Sequence, residues 1–398
     1  MKILLISCGV LPIPAVKGGA VETLIDTFLE YNEKKYKNDV VVCSCYDYNS
    51  SLASKKYNYS KFCYVNTNKI MFKVKKAFRG VINKLPGILI SNAYINEVIK
   101  KVRHDYDISS FDLVLIENVP NYVLPLYKNF GNKIILHSHN DFLNPNTKKG
   151  REILNKCKKI ITVSDHVKSK IQAIDIYYKN IYTLINGVDH ELFDPSKFDK
   201  KSVRKNLKLN DNDVVLFYSG RLVPEKGIKE LIICFIGLKK KFPNLKLLIA
   251  GSSFFGNGLK KTSYIKELEC ICKDYQNDII FTGYVDYNKM PEVYMAADIQ
   301  IIPSIIDDSC PLSVIEGICM GLPQVATISG GIPELVTNKQ SILVNRDNLQ
   351  KELYDALEKL LNEPELIKKM SHESIKHRHI YKKDIYAQRL NSLLKGRN

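Results

Sequence analysis

VVLFYSGRLVPEKGIKELI, residues 214–232, decides the fold of this chain. The apolar run at its start shows no polar alternation. It predicts a strand covered on both faces, as in a parallel sheet flanked by helices. Ser219 and Gly220 end that strand, and Pro224 with the following GIKELI opens a helix. Arg221 falls directly after the strand and Lys226 at the helix start. Two cations beside a helix N-terminus, with its unpaired N–H groups, suit a diphosphate.

The same strand-then-helix unit recurs in both directions. Downstream, LKLLIAG (245–251), DIIFTG (278–283), IQIIPS (299–304) and QVATI (324–328) read as strands separated by helical patterns. Upstream, KILLISCGV (2–10), NDVVVCSCY (38–46), FDLVLIE (111–117), KIILHSH (133–139), KKIITVS (158–164) and IYTLIN (181–186) do likewise. These runs predict an α/β chain of two Rossmann-like domains of similar size, 1–190 and 200–375. NGVDHELFDPSKFDKKS (186–202) breaks the pattern with turn residues and is expected to be the connection. The helical segment 376–398 is expected to pack back on the first domain. Open α/β sheets bind ligands beyond the C-terminal ends of their strands, so the site is sought there, in a central cleft.

Composition sets limits. The 398 residues exceed one typical core, and 45% hydrophobic with 25% charged residues is ordinary for a globular enzyme. No apolar run reaches the ~18 residues of a membrane-spanning helix. The N-terminal ILLISCGV reads as a buried strand rather than a signal peptide, since no small-residue cleavage site follows. The ten cysteines contain no CxxC pair and no His/Cys cluster at zinc spacing, so they read as free thiols in a reducing compartment. The formal charge is +17. Between Asp47 and Glu97 there are nine bases and no acid, a one-sign field that attracts an anionic partner.

Three further stretches carry candidate chemistry. In KGGAVETL (17–24), Gly18 and Gly19 precede a helix and let backbone amides approach phosphate oxygens. The GxGxxG of a dinucleotide-binding dehydrogenase is not there. KIILHSHNDF places His139 at a strand mouth. In DDSCPLSVIEG (307–317) a helix is expected from Pro311 to Met320, with the amides of Leu312 and Ser313 in its first turn. Glu316, one turn further, can accept two hydrogen bonds from vicinal hydroxyls, and Asp308 stays in the preceding loop.

These residues resemble the retaining nucleotide-sugar glycosyltransferases of family four, which have the GT-B fold. The two acids with seven residues between them, Asp308 and Glu316, are followed by Gly321-Leu322-Pro323 and by Gly330-Gly331-Ile332-Pro333-Glu334. SGRLVPEKG, the NGVD tract (186–189) and the N-terminal Gly-Gly loop match as well. The spacing of PIPAVKGGA is similar to the spore-coat SA-type branch. The resemblance implies that Arg221 and Lys226 bind the donor diphosphate and that Glu316 takes the ribose hydroxyls. It further implies that Asp308 and His139 contact the transferred sugar, and that Gly18 and Gly19 close on the phosphates. The family usually has Glu where this chain has Asp308, which shortens the reach by about 1.5 Å.

The function expected is retaining transfer of a hexose from a nucleoside-diphosphate sugar to a glycan or lipid-linked acceptor, in surface polysaccharide or glycoconjugate synthesis. No cofactor or metal is expected. The tripeptides DYD (105–107) and DND (211–213) precede strands rather than ending them, and read as loops. Two alternatives share the fold. A nucleotide-sugar 2-epimerase needs extra carboxylates in the first domain, where Glu117 is the candidate. A non-catalytic coat or sugar-binding protein has no need of the Arg, Lys, Glu and Gly-Gly set. Within KIMFKVKKAFRGVINKL (69–85), Ile70, Val74, Phe78, Val81 and Leu85 recur at helical spacing, and Lys69, Lys73, Lys75, Lys76, Arg79 and Lys84 surround them. Such a basic amphipathic helix suits an anionic membrane surface. The protein is therefore expected in the cytoplasm, peripheral on the inner face of the membrane, and without a nucleic-acid module.

Overall fold

The computed structural model describes residues 1–67, 92–252 and 262–397. The basic residues Lys69, Lys73, Lys75, Lys76, Arg79 and Lys84 lie outside the described residues. The chain divides into two compact units, Met1–Ile185 with Tyr386–Asn398, and Asn186–Ile385.

The first unit is built on a seven-stranded parallel sheet of β1 (Lys2–Ile6), β2 (Asp39–Cys45), β3 (Ser60–Val65), β4 (Leu113–Glu117), β5 (Ile134–Ser138), β6 (Lys159–Thr162) and β7 (Ile181–Thr183). Their order across the sheet is β3-β2-β1-β4-β5-β6-β7. Ile3, Leu4, Leu5 and Ile6 of β1 are fully buried, as are Val40, Val41 and Val42 of β2. That is why these segments lack polar alternation: helices cover both faces. The chain starts mid-sheet, runs outward to β3, then returns to β4 beside β1. The connections after β1 and β4 therefore part in opposite directions, and a crevice opens at that switch.

The second unit repeats the plan with six parallel strands: β8 (Val214–Ser219), β9 (Leu245–Ala250), β10 (Ile279–Gly283), β11 (Ile299–Ile302), β12 (Gln324–Thr327) and β13 (Ser341–Val344). The order is β10-β9-β8-β11-β12-β13, so its switch lies between β8 and β11. Its core joins Leu216, Ile228, Phe235, Leu247, Leu353 and Leu357, all fully buried.

The segment 186–202 is not a loose connection. Within the second unit, Asn186 Nδ2 donates to the Cys310 carbonyl at 2.9 Å, Phe193 is fully buried, and Asp189 pairs with Lys383 at 2.5 Å. At the far end of the chain, helix Lys383–Leu394 carries it back into the first unit. There Lys159 Nζ donates to the Leu393 carbonyl at 2.7 Å, and Asn38 Nδ2 to Asn391 Oδ1 at 3.2 Å.

Candidate functional site

In the second unit the expected residues gather at the β8/β11 switch. β8 ends at Ser219, and the Tyr218 hydroxyl donates to the Arg221 carbonyl at 2.8 Å, fixing the backbone from which the exposed Arg221 extends. Lys226 closes a short 3₁₀ turn, Pro224–Lys226, ahead of helix Ile228–Lys239. Its ammonium pairs with the Asp308 carboxylate, each side chain 19% exposed. Ser304 Oγ also donates to Asp308 Oδ2, at 3.1 Å.

The Asp308 loop is seated from below by the Gly-Gly turn. Gly331 N donates to the Asp308 carbonyl at 2.8 Å. Gly330 sits at φ +54°, where a Cβ would come within 2.4 Å of that same oxygen. Only glycine allows both the backbone conformation and the contact. Arg346 holds the loop's other side through Ile305 O and Asp307 Oδ1, both at 2.9 Å.

The helix after the loop is Leu312–Cys319, with Pro311 as its N-cap. It rests on two buried glutamines from neighbouring strands. Gln300 Nε2 donates to the Ser313 carbonyl at 2.8 Å, and Gln324 Nε2 to the Val314 carbonyl at 2.7 Å. Gly317 lets the helix come this close, since a Cβ there would lie 1.7 Å from Gln300 Oε1. Glu316 is thereby fixed as part of the wall of a cavity of about 250 Å³, lined also by Ser219, Arg221, Gly251, Tyr284 and Ser313. Burial pushes its carboxyl up to about 7, against a lowering hydrogen bond from Tyr294. Arg221, Ser313 and Glu316 thus share one cavity, with Lys226 and Asp308 paired at the β8 and β11 ends.

In the first unit, Gly18 and Gly19 enter helix Ala20–Tyr31 at φ +72° and +106°. The loop before them is tied down where Ala15 N donates to Asp26 Oδ2 at 2.8 Å. His139 lies past the end of β5 with its side chain 6% exposed, and its Nε2 is 2.7 Å from Glu117 Oε2. Register explains the contact, because Glu117 at the end of β4 pairs directly with His137 of β5. His137 Nδ1 is 3.1 Å from the same oxygen, an ion-pair distance without hydrogen-bond alignment. Burial alone would raise the Glu117 carboxyl, but the two histidines outweigh it and bring it down to about 2. Burial, then His137, lowers His139 to about 4, against the pull of Glu117. The 2.7 Å contact places a proton on Nε2, donated to the Glu117 carboxylate.

In the sequence, Glu117 stands out only as the end of FDLVLIE, and His137 only as a residue of the KIILHSH strand beside His139. The signal was available in the matched ends of two adjacent strands. Among the described residues, Glu117, His137 and His139 form the group able to hold a metal ion, with ligand atoms within 4.8 Å of one another. The tripeptides at 105–107 and 211–213 lie before β4 and β8, at the strand ends away from the switches. Asp107 caps a short turn through Ser109 N, and Asp213 Oδ2 accepts from Asn210 N.

Two parallel-sheet units with their polar residues at the switch points describe a GT-B fold. Residues 199–377 match the family model of glycosyl transferases group 1, which supports placing the chain with the glycosyltransferases. It is similar to the putative glycosyltransferase YtcC of Bacillus subtilis, 27% identical over 393 residues that cover 95% of this chain and 87% of the relative. Bacillus subtilis spore coat protein SA is 24% identical over 376 residues, covering 92% and 91%. Among solved structures, Anabaena HepE in complex with UDP aligns over 100% of both chains with a TM-score of 0.76 at 17% identity. That likeness bears on the fold.

Proposed function

We propose that the protein transfers a sugar from a nucleoside-diphosphate sugar, with retention, to a glycan or lipid-linked acceptor in surface polysaccharide or glycoconjugate synthesis. The observation that carries this is the cavity at the end of β8, where a buried carboxylate, Glu316, lies with Arg221 and the first turn of helix Leu312–Cys319. A carboxylate accepting from two vicinal hydroxyls suits the ribose, and the cations and helix amides suit the diphosphate. HepE was solved with UDP and with UDP-glucose, which supports a nucleotide-sugar donor.

Chemistry at the anomeric carbon puts negative charge on the departing diphosphate. Arg221, Lys226 and the amides of Leu312 and Ser313 stabilise that charge without reorganising. The departing phosphate takes the acceptor's proton on the same face, so no carboxylate nucleophile is assigned, and Asp308 keeps to the sugar while sharing Lys226. The positive charge comes from side chains and amides, so the transfer itself needs no divalent metal. The first unit is assigned the acceptor, with Glu117 orienting His139. No helix among the described residues is long and apolar enough to cross a membrane. Attachment to the inner membrane face is assigned to the basic stretch 69–85.

The test is a donor screen with UDP-, GDP-, ADP- and dTDP-sugars in EDTA-treated protein, with product stereochemistry read by NMR. One donor is expected to be consumed with retention. Loss of activity on EDTA treatment with recovery on magnesium would refute metal independence. A C2 epimer formed without any acceptor would replace transfer by epimerisation.

A further inference from the structure

Tyr294 is absent from every motif in the chain, yet it touches the group on which the donor site depends. It lies in helix Met290–Ala296 and is fully buried. Its ring is held edge-on by Phe217, with centroids 4.8 Å apart at 73°, and by Phe193 at 5.8 Å and 79°. Its hydroxyl lies 2.7 Å from Glu316 Oε2, 2.8 Å from Ser219 Oγ and 3.3 Å from the Ser313 carbonyl. A phenol has one proton to give. When that proton goes to the carboxylate, Ser219 must donate into Tyr294, so the three groups form a directed chain, Ser219 to Tyr294 to Glu316.

We propose that Tyr294 is a positioning residue for the donor nucleotide. Backed by Ser219, its hydroxyl donates to Oε2 and favours the carboxylate over the carboxylic acid, which turns Oε1 to the cavity as the acceptor for the ribose hydroxyls. This rests on the assignment of Glu316 to the ribose. An uncharged carboxylic acid accepts poorly, so burying Glu316 without a donor would remove the site's main recognition group. The titratable and charged groups facing Glu316 among the described residues are Tyr294, Tyr287 and Cys319, with Arg221 and Tyr284 in the wall of the same cavity. Tyr294 hydrogen-bonds the carboxylate directly.

The experiment is calorimetric titration with UDP, GDP, ADP and dTDP between pH 6 and 9. The proteins are wild type, Tyr294→Phe, Ser219→Ala, Glu316→Gln and the Tyr294→Phe/Glu316→Gln double variant. Tyr294→Phe should weaken the tightest-binding nucleotide about tenfold at pH 7, the loss of a hydrogen bond to a charged group. The midpoint of its pH dependence should rise by about one unit, because a carboxylate that loses a donor ionises later. Ser219→Ala should shift it less, in the same direction, and does so even if Tyr294→Phe fails to fold. In the Glu316→Gln background, Tyr294→Phe should change little, since the carboxylate it serves is gone. If Glu316→Gln weakens binding but neither Tyr294→Phe nor Ser219→Ala moves the midpoint, Tyr294 is only a packing residue and the inference falls. If Glu316→Gln leaves affinity unchanged, or no nucleotide binds, the ribose assignment itself falls.

Discussion

At the scale of single residues, the pairing of Lys226 with Asp308 changes what each removal should do. Lys226 is assigned to the leaving diphosphate, yet its ammonium is also paired with the Asp308 carboxylate. Asp308→Ala should therefore lower turnover by ~10²-fold, as loss of a preorganised charge contact does. It should at the same time leave nucleoside-diphosphate affinity equal or tighter, because Lys226 is released to the phosphates. Arg221→Ala should lower both turnover and affinity. Steady-state kinetics with calorimetry separate the two patterns, and a drop in nucleotide affinity for Asp308→Ala would show that the acid supports the nucleotide instead. The placement of Arg221, Lys226, Asp308 and Glu316 at strand ends and helix starts was legible, because such boundaries leave marks in sequence. Tyr294, Gln300 and Gln324 were not, since nothing but tertiary packing tells a buried tyrosine in contact with Glu316 from any other core tyrosine.

At the scale of elements, helix Ala20–Tyr31 carries a cost. Asp26 is on its inner side, with Oδ2 accepting from Ala15 N and Oδ1 buried without a partner. Burial raises its carboxyl to about 7, partly opposed by the Ala15 hydrogen bond. A raised acid in the folded state means that the unfolded chain ionises first. Stability is therefore unaffected by this group below about pH 4 and is lost progressively as pH rises toward 7. Asp26→Asn retains an acceptor for Ala15 N and removes the buried charge. It should raise the melting temperature by several degrees at pH 8 and by much less at pH 4.5, as thermal unfolding at the two pH values would show. An equal gain at both would mean that charge is not the cause. The strands themselves show which elements sequence reveals. Those within the sheets were plain from unbroken apolar runs, whereas β3 (SKFCYV) and β13 (SILV) were missed. Both are edge strands, with buried and exposed residues mixed along them, so neither has the run that marks a strand buried on both faces.

At the scale of the whole molecule, a formal charge of +17 favours association with anionic partners. About half of that excess lies between Asp47 and Glu97, nine bases with no acid. A one-sign field of this size would be costly unless something neutralised it. An acceptor carried on a lipid would bring the protein to an anionic surface, where each base adds roughly 1 kcal/mol of attraction. Even half of the nine would then hold the protein measurably at moderate salt, and more weakly as salt screens the field. The helical spacing of Ile70, Val74, Phe78, Val81 and Leu85 in the sequence is the pattern that the proposed membrane attachment requires of this stretch. Co-sedimentation should show binding to vesicles containing anionic lipid at 50 mM salt, little binding to neutral vesicles, and release at high salt. Neutralising Lys73, Lys75, Lys76 and Arg79 together should abolish the anionic binding without altering donor hydrolysis. That division would place membrane attachment and donor chemistry in separate parts of the chain. Absence of wild-type binding at low salt would instead direct the search to a soluble acceptor, with the charge serving an anionic glycan.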